Sequence, residues 1–364
     1  MTSQKENKSL NLSEISKHFN PAWFAVVMGT AVVPLSISFI NHPIKIVLAG
    51  FFFLLSLAIF FIALVPWTLK FFLYAQNIKH DLNHPIAGNF LPTMPISLII
   101  FSLNFLKYPK LFFAENVSVE IAYYLWLVGV IGIYVMGFII LIHIFRHKEI
   151  DLAHANFGWY IPPVSKLIIP VAGFELTHVY ANFTELTFTL SIVSLGVGFF
   201  LFLFVGAAVY HRYIYHELPM SRFAATFFIG IAPTAILAVI LFKMMHLFEH
   251  TPIIGVEAHL FSGIAKIGIL MNWGLAAWWF IMALIIILYY IKKIDLPYAL
   301  SWWAFTFPTG ALSVASGIAW KITGFSLIYF FYILTVIMLL LFWGAVLVWT
   351  GKGILSGKVF QPTH

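Results

Sequence analysis

Residues 302–310 read Trp302-Trp303-Ala304-Phe305-Thr306-Phe307-Pro308-Thr309-Gly310, inside an apolar run near 299–319. A proline, followed two residues later by a small residue, interrupts a segment that is otherwise long and apolar. The same element recurs as Pro95-Ile96-Ser97, Pro170-Val171-Ala172 and Pro233-Thr234-Ala235. In the first apolar run it fits two registers. Pro34-Leu35-Ser36 matches directly, whereas Val27-Met28-Gly29 matches by context, because Phe24 to Gly29 parallels Phe305 to Gly310. An interior proline removes a helical hydrogen bond and tends to kink the helix. It should free the carbonyl four residues earlier, here Lys166, Ile229 and Ala304. A carbonyl freed within a bilayer needs protein, water or a solute as partner. The small residues let backbones approach closely or widen a lumen.

Working outward, ten apolar runs lie near 21–40, 46–69, 90–106, 119–145, 160–180, 186–210, 220–244, 264–291, 299–319 and 325–349. The proline elements fall on the odd runs, and the even runs are smooth, continuous and poor in proline. A transmembrane helix takes about 20 apolar residues, and continuous rather than alternating runs argue against a β-barrel. Over the 364 residues 62% are apolar and 9% charged, against about 25% charged in ordinary soluble domains. That composition excludes a soluble enzyme, a disordered chain and a disulfide scaffold. The chain has no Cys, which removes thiolate chemistry and Cys-held metals. It carries a net charge of +7. Its basic residues sit singly or in pairs at the ends of apolar runs, which suits membrane topology rather than a nucleic-acid partner. The polar first 20 residues point to no cleaved signal peptide.

Lys and Arg favour cytoplasmic loops. With the N-terminus inside, thirteen of the 20 basic residues fall on inner segments and six on outer ones; Lys166 alone falls within a span. Both termini are therefore expected in the cytoplasm. The expected architecture is an all-α integral membrane protein of ten transmembrane helices. They form five helical hairpins in quasi-five-fold arrangement around a central pore, the odd helices making a parallel inner ring. Residues 1–20 and 350–364 are expected to be cytoplasmic tails on a 21–349 membrane domain, in the plasma (inner) membrane.

The order of these motifs resembles the tellurite-resistance/dicarboxylate transporter family. That family includes bacterial tellurite-resistance channels, malic-acid carriers, sulfite pumps and plant guard-cell slow anion channels. Asn20-Pro21-Ala22-Trp23 through Thr30 resembles its first helix. Asp81-Leu82-Asn83-His84-Pro85, then Phe90 to Ser97, resembles its second-to-third connection. Ile161-Pro162-Pro163-Val164, Ile231-Ala232-Pro233 and Trp302 to Pro308 resemble its fifth, seventh and ninth helices. The resemblance implies ten helices in five hairpins, a pore in each protomer, a homotrimer, and small inorganic or carboxylate anions as solutes. It also implies a pore-plugging Phe on the ninth helix, which falls on Phe307, or on Phe305 in the other register. Gly29, Pro95, Lys166, Pro170, Pro233, Pro308 and Gly310 are the expected pore-lining positions.

A charge within a span is costly. Lys166 either faces the lumen as an anion-attracting cation, snorkels to an interface, or pairs with an acid such as Glu175. Lys243 and Lys266 read as interfacial, and Glu175, Glu249 and Glu257 as solvated. Of the 14 His, the pairs His80/His84, His143/His147 and His246/His250 have helical spacing, but the first two fall on the inner side of the membrane and the third on the outer. A shared metal centre is not expected, nor any cofactor or catalytic residue. No phosphate-binding glycine loop points to ATP-driven transport. A secondary dicarboxylate or oxyanion carrier is the alternative to a channel.

Overall fold

A computed structural model describes residues 11–83, 87–146, 155–251 and 253–360. His84 and His147 lie outside them. Among the described residues there is no strand. Twelve α-helices follow in chain order: α1 Leu12–Lys17, α2 Trp23–Ser36, α3 Ile44–Leu73, α4 Ala75–Asn83, α5 Thr93–Lys107, α6 Glu115–Arg146, α7 Ile161–Val179, α8 Thr184–Tyr215, α9 Ala232–His250, α10 Ala258–Lys293, α11 Phe307–Thr323 and α12 Ser326–Leu355.

Two populations of helix emerge. The smooth apolar runs form α3, α6, α8, α10 and α12, each of 30 to 36 residues. At 1.5 Å per residue such a helix is about 45–54 Å long, more than the roughly 30 Å of a hydrocarbon core. Their outward faces carry exposed Phe61, Ile62, Phe145, Phe204, Met271 and Leu341. Water does not tolerate that much apolar surface, whereas lipid does. The proline-bearing runs are sequestered: 89% of an 18-residue window is buried in 88–107, and the same share in 221–250. Among the described residues, seven helical segments are long and apolar enough to cross a membrane, and Trp23–Phe39 is a shorter apolar one.

Each short helix packs against the long one that follows it. The short helices also pack on one another in a closed cycle, α2 on α5, α5 on α7, α7 on α9, α9 on α11 and α11 on α2. Contacts along the seams ascend together, so neighbours run parallel. Thr93 Oγ1 donates to the Pro21 carbonyl, Asn104 Nδ2 to Ala31 and Tyr108 Oη to Pro34, fixing α5 beside α2. Between α2 and α11, Gly29 meets Thr306, Val32 meets Gly310 and Phe39 meets Gly317.

The prolines act differently from the expectation. Pro233 and Pro308 sit in the first turn of α9 and α11, and Pro162 and Pro163 in that of α7. There the missing N–H is no loss. The chain enters these helices through 3₁₀ segments, 157–160, 221–231 and 300–305. Ile229, expected to offer a free carbonyl, instead accepts the Ala232 N–H. Pro34 and Pro170 alone of the five lie well inside their α-helices.

The described parts of both tails pack on the helical body. Asn11 caps α1 by accepting the Glu14 N–H, and Lys70 donates to the Phe19 carbonyl at 2.8 Å while pairing with Asp81. α12 continues past 349 to Leu355, and Phe360 stacks on Trp23. The tight α11–α12 turn rests on Gly324 at φ 70°, a left-handed conformation natural to glycine.

Candidate functional site

The contacts of the short helices with their outer partners fix which face each one turns to the ring axis. On α7, the Lys166 ammonium lies against Gly137 of α6, Leu167 against Gly198 of α8, Gly173 against Trp126 and Ser191, and Thr177 bonds Thr187 of α8. At 100° per residue the opposite stripe is Val164, Ile168, Val171 and Glu175. On α9, Leu241 meets Gly268 of α10, which leaves Ala232, Ile236, Val239 and Lys243. On α5, Pro95 and Ile99 meet Gly132 and Gly129 of α6, and Phe101 and Phe105 pack on Phe53 of α3. The remaining stripe is Ile96, Ile100, Leu103 and Lys107. On α11, Gly310 and Gly317 face α2, and Ser316 accepts the Trp273 indole of α10. The remaining stripe is Phe307, Ala311, Val314 and Ile318. From Phe307 to Ala319 every residue is buried except Val314, on that stripe.

All four stripes follow i, i+4, i+7, i+11, and all are apolar until their last turn. There the chemistry changes together. Lys107 ends the α5 stripe, Glu175 that of α7 and Lys243 that of α9, and Lys321 lies three residues beyond Ile318. Lys243, Glu175, Lys321 and Lys45 all act electrostatically on Lys107. Glu175 and Lys243 form an ion pair, and the Lys321 ammonium lies 5.6 Å from the centre of the Phe242 ring. Lys107 thus lies within electrostatic reach of three other lysines and Glu175 at one end of an apolar ring. Lys243 and Glu175, expected to be interfacial and solvated, are paired with each other.

The expected lining positions are redistributed. Lys166 is buried at the seam of α7 with α6, and its bond is to Ser165 Oγ at 3.3 Å. Pro170 lies one turn above it on the same face. Gly29 and Gly310 sit on the α2–α11 seam, each meeting the other helix where a Cβ would go. The Pro95 ring packs on Gly132 of α6. Pro233 and Pro308 start their helices one residue round from the axis-facing Ala232 and Phe307. Small residues therefore draw helices together here rather than widening a lumen.

The two phenylalanines separate cleanly. Phe305 is locked between rings, 4.9 Å from Phe228, 5.6 Å from Phe342 and 5.9 Å from Trp302. Phe307 touches no other aromatic ring among the described residues and begins the axis-facing stripe. The sequence could have yielded this stripe from helical spacing alone. It held no signal for the lysine cluster, whose members are separated by up to 276 positions and meet only because the ring closes.

A closed ring of buried helices, sheathed by long lipid-compatible ones and charged at one end, defines a helical integral membrane transport protein. Residues 18–351 match the family described as "Voltage-dependent anion channel", and the chain belongs to that family. It is 36% identical over 354 residues to an uncharacterized transporter of Methanocaldococcus jannaschii, covering 96% of this chain and 97% of that one. It is 26% identical to a malic acid transport protein of Schizosaccharomyces pombe, over 82% of this chain and 69% of that one. A sulfite efflux pump of Arthroderma otae is 23% identical, over 82% and 81%.

Proposed function

We propose that the ring axis is an anion pathway through each protomer, closed by Phe307 and entered past the lysine cluster. The observation that carries this reading is the convergence of Lys45, Lys107, Lys243 and Lys321 at one end of an otherwise apolar ring. Clustered charge of one sign raises the local concentration of the opposite ion. An apolar constriction closed by an aromatic ring excludes water and ions until the ring moves. The solutes are small inorganic or carboxylate anions. In this reading ten helices cross the plasma membrane as five hairpins, both termini are cytoplasmic, the lysines face outside, and protomers assemble as homotrimers. No cofactor or catalytic residue is required.

A coupled carrier of dicarboxylates or oxyanions is the second reading. It is favoured by the Glu175–Lys243 pair on the axis-facing stripes, since a carboxylate there offers a proton-exchange site. The names of the malic acid and sulfite relatives accord with it. Saturable uptake that needs a pH gradient would select it over a channel.

The test is anion flux into liposomes carrying purified protein. Lys107→Gln with Lys321→Gln removes two cations without unpairing Glu175. The double variant should lower anion flux at low salt at least about threefold, with the deficit shrinking at high salt as screening replaces it. Equal flux at all ionic strengths would remove the lysine end from the pathway.

A further inference from the structure

Just beyond the Glu175–Lys243 pair, three histidines from two helices meet. His178 follows Glu175 by three residues on α7, and His246 follows Lys243 by three on α9. His250 is one turn further along α9. The ring centres lie 5.5 Å (His178–His246), 5.2 Å (His178–His250) and 4.4 Å (His246–His250) apart. Three imidazoles on one tetrahedral zinc, with Zn–N of 2.0–2.1 Å, put their ring centres about 5 Å apart. His246, Glu249 and His250 each offer a ligand atom within 4.8 Å of the others. Small side-chain rotations bring such atoms to the roughly 3.3 Å of a tetrahedral set. The segment His246-Leu247-Phe248-Glu249-His250 also has the H-x-x-E-H spacing found in helical zinc sites.

One feature of a built ligand is already in place. His250 Nδ1 lies 2.9 Å from the His246 carbonyl. Donating there fixes the tautomer and leaves Nε2 as the free donor atom, the outer-shell arrangement usual for metal-bound histidine. The side chains of His246 and Glu249 are 46% and 39% exposed, so an ion can reach them. Glu249 adds negative charge to the set, and Lys243, three residues before His246, is paired with Glu175.

We propose that His178, His246 and His250, with Glu249, form a binding site for a divalent transition cation of the zinc class, bridging α7 and α9 at the lysine-bearing end of the ring. The site joins two adjacent ring helices, so an ion held there ties them together. The sequence showed only the 246/250 pair; His178 joins it through the packing of α7 on α9. Ligand type decides the ion class: imidazole with one carboxylate suits zinc, nickel or copper, not calcium or magnesium.

The experiment is equilibrium dialysis of full-length protein, purified without a histidine tag, against zinc chloride, with bound metal measured per chain. Wild type should hold about one zinc per chain. His178→Ala should weaken binding at least about tenfold, as should His246→Ala, while His18→Ala, at the opposite end, should leave it unchanged. Zinc should also shield His178, His246 and His250 of the wild-type protein from acylation by diethylpyrocarbonate, mapped by mass spectrometry. That readout needs no variant to fold. Negligible wild-type binding would overturn the proposal. So would undiminished binding in a folded His178→Ala protein, or equal acylation of the three rings with and without zinc.

Discussion

Lys166 and Lys107 are both lysines on short helices, and the face of the helix decides what each can do. Lys107 ends an axis-facing stripe within electrostatic reach of three other lysines. Lys166 is buried against Gly137 of an outer helix. A charge buried in a helix seam with only a serine hydroxyl named as its partner is a cost to stability, and it adds little to an ion on the axis. Lys166→Met should therefore keep anion flux within about twofold of wild type and hold or raise the thermal midpoint in detergent, because a similar volume is filled without a buried charge. A large fall in flux would put Lys166 back on the pathway. The sequence showed that Lys166 lay within a span but not which way it pointed, because direction depends on where α6 and α8 pack. The same reason hid the Glu175–Lys243 pair, whose partners belong to different helices, α7 and α9.

At the scale of the helix, much was legible. All ten apolar runs correspond to helices, since run length is a direct consequence of burying an apolar backbone segment. The five long helices extend past their expected ends by up to six residues, at termini where polar residues continue the helical pattern. The proline elements marked the correct set of helices but stood for a different device. A proline in the first turn costs no hydrogen bond, so most of these residues start a helix after a 3₁₀ lead-in instead of kinking one. The small residues beside them belong to seams. Gly29 faces Thr306 and Trp303 so closely that a Cβ would collide with the Thr306 side chain. Gly29→Val should overpack the α2–α11 seam and lower stability by about 1–3 kcal/mol, seen as a drop in the thermal midpoint and early aggregation on gel filtration. An unchanged midpoint would mean the seam is looser than these contacts indicate.

At the scale of the molecule, five short parallel helices close on themselves, and the closure produces the features that matter for transport. It converts four amphipathically unremarkable stripes into one apolar axis, and it gathers lysines from four separate parts of the chain at one end. Phe307 stands on that axis at the start of α11, while Phe305, two residues earlier, is held by Phe228, Phe342 and Trp302. The two residues therefore make a matched pair for testing the account. Phe305→Ala removes core packing and should destabilise by about 3–5 kcal/mol without opening the axis. Phe307→Ala removes the ring proposed to close the axis and, with no aromatic partner lost, should leave the fold intact. The decisive measurement is anion current through protein reconstituted in planar bilayers, wild type beside Phe307→Ala at equal incorporation. Phe307→Ala should show a standing anion conductance at least about tenfold above wild type, in line with the loss of an apolar barrier of a little over 1 kcal/mol. A Phe307→Ala protein that is folded, incorporated and no more conductive than wild type would contradict the reading of Phe307 as the closing ring.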